Sequence, residues 1–320
     1  VKPRADLHLT PKDRIGDVLR HPAFQGHASL LLPCDDRGYD EGMRLSEIAS
    51  LLPYHSHVEP RVVVDGLNRI IDDVGAGRQV FYAFSTEEQR RRDPTLRHAG
   101  LFFFRGKPGA PFAVVSPGGG FAYVAAVHEG FPYAAAISDA GYNAFVLKYR
   151  AGLGGLAATE DLAAALSFII RNADTLRVDR RGYSLWGSSA GARMAAAIGS
   201  HGAASFGGDD VPKPAAVVMA YTGHTDSAKG EPPTFVVVGE NDAIAPPSVM
   251  ARRVAALRAA GTPVEFRRYP NVGHGFGVGI GTSAEGWLGD AVRFWKRFVV
   301  PAGGNRESTD GNAKPRTEAP

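Results

Sequence analysis

At 320 residues, with a formal net charge of +3 and a single cysteine, Cys34, the chain is long enough to bury a large core. It can form neither an internal disulfide nor a Cys-based metal cluster. Its Lys and Arg residues are not gathered into runs interleaved with aromatics, which argues against a nucleic-acid partner. No stretch reaches the ~20 apolar residues of a membrane span. The opening Val1-Lys2-Pro3-Arg4 carries no apolar leader core, so no membrane association is expected. Oligomeric state is left open, as is the choice between a cytoplasmic protein and an exported, processed one.

Residues 1–78 are the least regular part. Leu30-Leu31-Leu32-Pro33 and Leu51-Leu52-Pro53-Tyr54 are apolar clusters broken by proline, which favours turns and brief helices. One longer helix is expected over 60–74, with Val63, Leu67, Ile70 and Ile71 on one side. The clusters are too short for a core of their own, so the region reads as an N-terminal extension packed on, or capping, a main domain at 79–300. His55-x-His57 has no third ligand nearby and reads as surface or capping histidines.

From residue 79 apolar strands alternate with amphipathic helices. Strands are expected at 79–84, 100–105, 112–116, 143–149, 183–186, 215–221, 234–239 and 263–269, and helices near 124–140, 158–173, 190–200, 246–260 and 286–299. The pattern predicts an α/β fold with a mostly parallel eight-stranded sheet covered on both faces, entered through antiparallel strands. Residues 301–320 have no apolar anchor and read as a disordered tail.

In such sheets chemistry gathers at the carboxyl ends of the strands. Four loops there carry chemical tools: Pro117-Gly118-Gly119-Gly120-Phe121, Gly187-Ser188-Ser189-Ala190-Gly191, Gly239-Glu240-Asn241-Asp242 and Gly273-His274-Gly275. Gly-x-Ser-x-Gly between a strand and a helix is the nucleophile-elbow pattern, a strained turn that presents its serine. By itself the pattern is weak, being common in ordinary loops. A serine needs an adjacent base, which His274 supplies, and a buried carboxylate to orient that base, for which Asp242 is preferred over Glu240 because Glu240 lies closer to the strand end. Taken singly, Asp242 reads as a helix cap and His274 as a loop residue. The order Ser, Asp, His at successive strand ends is hard to assign to chance. Three consecutive glycines let backbone N–H groups approach a substrate.

On these motifs, together with Lys148-Tyr149-Arg150, residues 79–300 resemble the α/β-hydrolases, and within them the esterases that include acetyl, acetylxylan and feruloyl-type enzymes. The resemblance implies a serine esterase without cofactor acting on a small-molecule or carbohydrate ester. Ser189, His274 and Asp242 would form the triad, and the N–H groups of Gly119, Gly120 and Ala190 the oxyanion hole. Phe121, Tyr123 and Ser188 flank these positions and are candidates to line the substrate pocket. The chain departs from the hormone-sensitive-lipase pattern at Pro117, where histidine is usual, and at Ser188, where aspartate is common. A prolyl-oligopeptidase-like peptidase shares the triad order, but 78 residues are too few for a propeller of even four blades of about 40 residues. A non-catalytic binding protein on the same fold would be expected to lose a triad member. His128-Glu129-Gly130-Phe131-Pro132 begins like a zinc motif but has Pro132 in place of the second histidine, so no metal is expected.

Overall fold

A computed structural model describes residues 7–34 and 38–299; the tail expected over 301–320 lies outside the described residues. Unbroken apolar runs become strands buried on both faces. The strands are β1 (Phe81–Tyr82), β2 (Gly100–Phe104), β3 (Pro111–Ser116), β4 (Asn143–Lys148), β5 (Asp179–Ser188), β6 (Ala216–Ala220), β7 (Thr234–Gly239) and β8 (Val264–Tyr269). They form one eight-stranded sheet in the order β1-β2-β4-β3-β5-β6-β7-β8. β1 pairs antiparallel with β2 and β2 with β4, while every pair from β4 to β8 is parallel. At the far edge β8, Val-Glu-Phe-Arg-Arg-Tyr, is only partly buried, and its charged side chains blunt an otherwise open edge.

The helices are α1 (Ile15–Leu19), α2 (Ala28–Leu31), α3 (Pro60–Gly75), α4 (Glu87–Arg92), α5 (Phe131–Asp139), α6 (Gly154–Arg171), α7 (Ala173–Leu176), α8 (Ala190–His201), α9 (Pro247–Ala259) and α10 (Trp287–Lys296). α5 packs with α10 and α3, and α6 with α8. Every side chain of β4, β6 and β7 is buried, so both faces of the sheet are covered. No helix among the described residues is long and apolar enough to cross a membrane.

Among the elements that differ from their sequence-based expectations, β1 is only two residues long, and three others show why. The single helix expected over 124–140 is a π-type turn, Ala126–Gly130, followed by α5. Pro132 lies in the first turn of α5, where its missing N–H costs nothing, and it cannot continue a helix begun earlier. β5 begins at Asp179 instead of 183, with a polar, largely exposed first half. α4, Glu-Glu-Gln-Arg-Arg-Arg, has no apolar period to betray it. It is held by a capping box between Thr86 and Gln89, with acids in its first turn and arginines in its last.

The N-terminal segment joins the same hydrophobic core as the sheet: Ile15, Val18, Leu31, Leu45 and Ile48 have no exposed surface. Gly66 of α3 lies against Phe131, where an added Cβ would come within 3.0 Å of the Phe131 Cβ. The ammonium of Lys148, buried at the end of β4, donates to the Leu32 carbonyl at 2.6 Å and the Pro33 carbonyl at 3.2 Å. Val124 N–H donates to the Pro33 carbonyl at 3.0 Å. From there the segment runs on to residues 54–56, which lie beside the strand ends.

Candidate active site

β5 ends at Ser188 and α8 starts at Ala190, so the whole reversal falls on Ser189, at φ 49 and ψ −114. A non-glycine residue there is strained by about 1–3 kcal/mol and persists only where its surroundings hold it. Ser189 N–H donates to the Ala220 carbonyl at 2.8 Å. The flanking glycines are steric requirements: a Cβ on Gly187 would sit 2.2 Å from the Gly191 carbonyl oxygen, and one on Gly191 would sit 1.9 Å from that of Ser116.

Two loops bring their side chains to this serine. His274 Nε2 is 2.9 Å from Ser189 Oγ, and His274 Nδ1 is 2.7 Å from Asp242 Oδ2. The Asp242 carboxylate is fully buried. Its other oxygen accepts the N–H groups of Ile244 at 2.9 Å and Ala245 at 2.7 Å, which fixes its plane ahead of α9. Asp242 therefore both turns the chain and faces the histidine. Glu240 is exposed, 3.6 Å from Arg268, and takes no part.

The triple glycine crosses the site in conformations that favour glycine, with φ 136 at Gly119 and 63 at Gly120. A Cβ on Gly119 would lie 2.1 Å from the Tyr123 carbonyl oxygen. The N–H groups of Gly119, Gly120 and Ala190 have no hydrogen-bond partner among the described residues. Gly118 N–H, by contrast, donates to Glu129 Oε2 at 2.6 Å.

That carboxylate belongs to a buried polar network which sequence reasoning missed. Glu129 is wholly buried; its Oε1 accepts the Tyr221 hydroxyl at 2.6 Å and lies 3.0 Å from His55 Nε2. The His55 side chain is 1% exposed, which excludes the surface half of the surface-or-capping expectation, and its Nδ1 is 2.9 Å from the Tyr123 hydroxyl. Ser56 Oγ donates to the His274 carbonyl at 2.7 Å. Burial drives the Glu129 pKa upward, but the charge and hydrogen bond of His55, then His128 and the Tyr221 hydroxyl, outweigh it and hold the carboxyl at about 2. The one local signal was His128-Glu129 itself, an acid next to a histidine in an apolar surround.

His128 is buried, its Nε2 2.9 Å from the Gly275 carbonyl. Burial, then the neighbouring His55, lowers its pKa from 6.5 to about 4. The unfolded chain therefore binds the extra proton between these values, and stability falls as pH drops from about 6.5 toward 4, by ~3 kcal/mol at most. Urea melts at pH 7.5 and 5 are expected to converge for His128→Gln relative to the wild type. Equal acid losses in both proteins would refute the assignment.

The pocket candidates divide. Phe121 is half-buried at φ 61, edge-on to Tyr149, and borders the loop. Tyr123 is buried; its ring stacks on Tyr54 and its hydroxyl accepts the Tyr54 N–H at 3.1 Å. Tyr54, 45% exposed, is the ring that reaches Gly120. Ser188 has no exposed surface, and its hydroxyl donates to Tyr133 at 3.1 Å, so it lines no pocket. A cavity of about 200 Å³ lined by Cys34, Thr95, His98, Arg150 and Leu153 reaches the glycine loop at Ala122. A larger one, about 600 Å³, lies between α3, α5 and α10 and contains none of these groups. Among the described residues no three His, Cys, Asp or Glu side chains are grouped to hold a metal ion.

The BD-FAE family model matches residues 105–215, and a second, described as alpha/beta hydrolase fold, matches residues 202–278. No protein of curated function matches the sequence. Among solved structures, a thermophilic esterase from the planctomycete Thermogutta terrifontis is 20% identical over 64% of this chain and 92% of its own, with a TM-score of 0.55. An acetyl ester-xyloside bifunctional hydrolase from Caldicellulosiruptor lactoaceticus is 20% identical over 63% of this chain and 89% of its own, also at 0.55. An alpha/beta hydrolase from a Medee basin deep-sea metagenome library is 24% identical over 62% and 92%, at 0.53. Such identities speak for the fold, which the sheet order already describes. Joined to the two family matches, they give this chain the α/β-hydrolase fold and support a hydrolase enzyme.

Proposed function

We propose that the protein hydrolyses short-chain carboxylic esters, acetyl esters of carbohydrates foremost, through an acyl-enzyme on Ser189. The observation that carries this reading is the continuous path from Asp242 Oδ2 through His274 to Ser189 Oγ, at 2.7 and 2.9 Å. His274 Nε2 takes the serine proton as Oγ attacks the ester carbonyl, and the carbonyl π pair moves onto oxygen. The unpaired N–H groups of Gly119, Gly120 and Ala190 stabilise that oxyanion, with the N-terminus of α8 adding its positive end. As the tetrahedral intermediate collapses, the alcohol leaves with the proton from His274. Water, activated by the same histidine, then releases the acid and restores Ser189.

Phe121 and the Tyr54 ring border the glycine loop, and two of the structural relatives carry descriptions that match a small acyl group: one esterase with propionate bound, one hydrolase named for acetyl esters and xylosides. The first 78 residues belong to this reading as a brace that also walls the site, since Tyr54, His55 and Ser56 all come from them. Rates on p-nitrophenyl esters of rising chain length, on acetylated xylan and on a prolyl peptide test the proposal. The acetate and propionate esters are expected to have the highest kcat/KM, with acetate released from the xylan and the peptide left intact. Preference for long chains would overturn the acyl assignment, and peptide cleavage without ester cleavage would overturn the reaction class.

A further inference from the structure

The proposed reaction uses neither Glu129 nor His55, yet burying a carboxylate costs several kcal/mol unless it is paired and hydrogen-bonded. Glu129 sits where that cost has a local effect. Its Oε2 takes the Gly118 N–H at 2.6 Å, immediately before the two glycines whose N–H groups are left without partners. Three glycines in succession have many accessible backbone states, and rotation of the 118–119 or 119–120 peptide would re-aim those donors. An ionised acceptor holding the Gly118 N–H makes a charge-assisted bond, about twice as strong as a neutral one, and disfavours the alternatives.

Its Oε1 takes the Tyr221 hydroxyl at 2.6 Å. Tyr221 also accepts the Gly277 N–H at 3.2 Å, and its ring stands edge-on to the His274 ring, centroids 5.2 Å apart. The same carboxylate therefore holds the glycine loop on one side and supports the loop bearing His274 on the other. His55, 3.0 Å from Oε1, brings the balancing group from the N-terminal segment.

We propose that Glu129, balanced by His55, is a positioning residue that aims the oxyanion N–H groups of Gly119 and Gly120, and that the N-terminal segment is thereby part of the catalytic apparatus. This rests on the esterase reading of the site.

Glu129→Gln preserves shape and removes the charge, so that one amide cannot accept from both Gly118 and Tyr221. Kinetics are measured per active site, titrated with a fluorophosphonate, so that a misfolded fraction does not count. The expected result is a fall in kcat of about 10²-fold with KM within threefold. Affinity for a trifluoromethyl ketone, whose serine adduct carries the oxyanion, should fall in parallel. His55→Gln is expected to move the same two quantities in the same direction by less, and it carries the test if Glu129→Gln does not fold. Wild-type kcat and wild-type ketone affinity per titrated site, with only the melting temperature lowered, would mean that Glu129 is a structural support and would overturn the proposal. If wild-type protein neither turns over esters nor labels at Ser189, the esterase reading itself fails and this inference falls with it.

Discussion

Ser189→Ala is expected to lower ester turnover by on the order of 10⁶ while leaving the fold intact, the scale of loss on removing the nucleophile of a serine protease. Alanine keeps the Cβ that the turn already accommodates at φ 49, and it removes only the hydroxyl facing His274 Nε2 at 2.9 Å. Wild-type protein treated with a fluorophosphonate should carry the label on a single peptide, the one containing Ser189, and the variant should carry none. Label on Ser188 would contradict the assignment, and the structure makes that outcome costly: Ser188 is fully buried with its hydroxyl spent on Tyr133.

Asp242→Asn should cost about 10⁴ in turnover, as the same exchange does in the serine-protease triad. The hydrogen bonds of this chain dictate why. The N–H groups of Ile244 and Ala245 both donate to Asp242 Oδ1, so an asparagine must keep its carbonyl oxygen there and turn its NH₂ toward His274 Nδ1. Nδ1 must then accept, and the ring proton moves to Nε2, the atom that has to receive the serine proton. Melting temperature should change far less than turnover. Glu240→Gln, at an exposed carboxylate beside Arg268, should leave kcat near the wild-type value. A large loss in Glu240→Gln with none in Asp242→Asn would reverse the choice of acid.

The fold was legible wherever burial alone determines the residue type. β4, β6 and β7 are buried on both faces and read as unbroken apolar runs, and the serine turn is legible because sterics permit only glycine at 187 and 191. Legibility failed where stability comes from polar pairing. α4 buries nothing and depends on its caps, and the polar start of β5 pairs through its backbone. It failed too where partners lie far apart in sequence. His55 and Glu129 each drew notice only as part of a metal-like motif, and only the fold sets them 3.0 Å apart. Ser188 shows the opposite error: adjacency to Ser189 suggested a role in the pocket, but the sharp reversal at 189 separates the two hydroxyls.

The bond from Ser56 to the His274 carbonyl joins positions 218 residues apart. Everything between them, the whole span from α3 through β8, must be synthesised and in register before this contact can close. The segment that carries Ser56 thus depends on strands that follow it in the sequence, and closing so long a loop costs conformational entropy. A chain that lacks residues 54–56 lacks the Ser56 tether on the loop bearing His274, whatever else of the sheet it keeps.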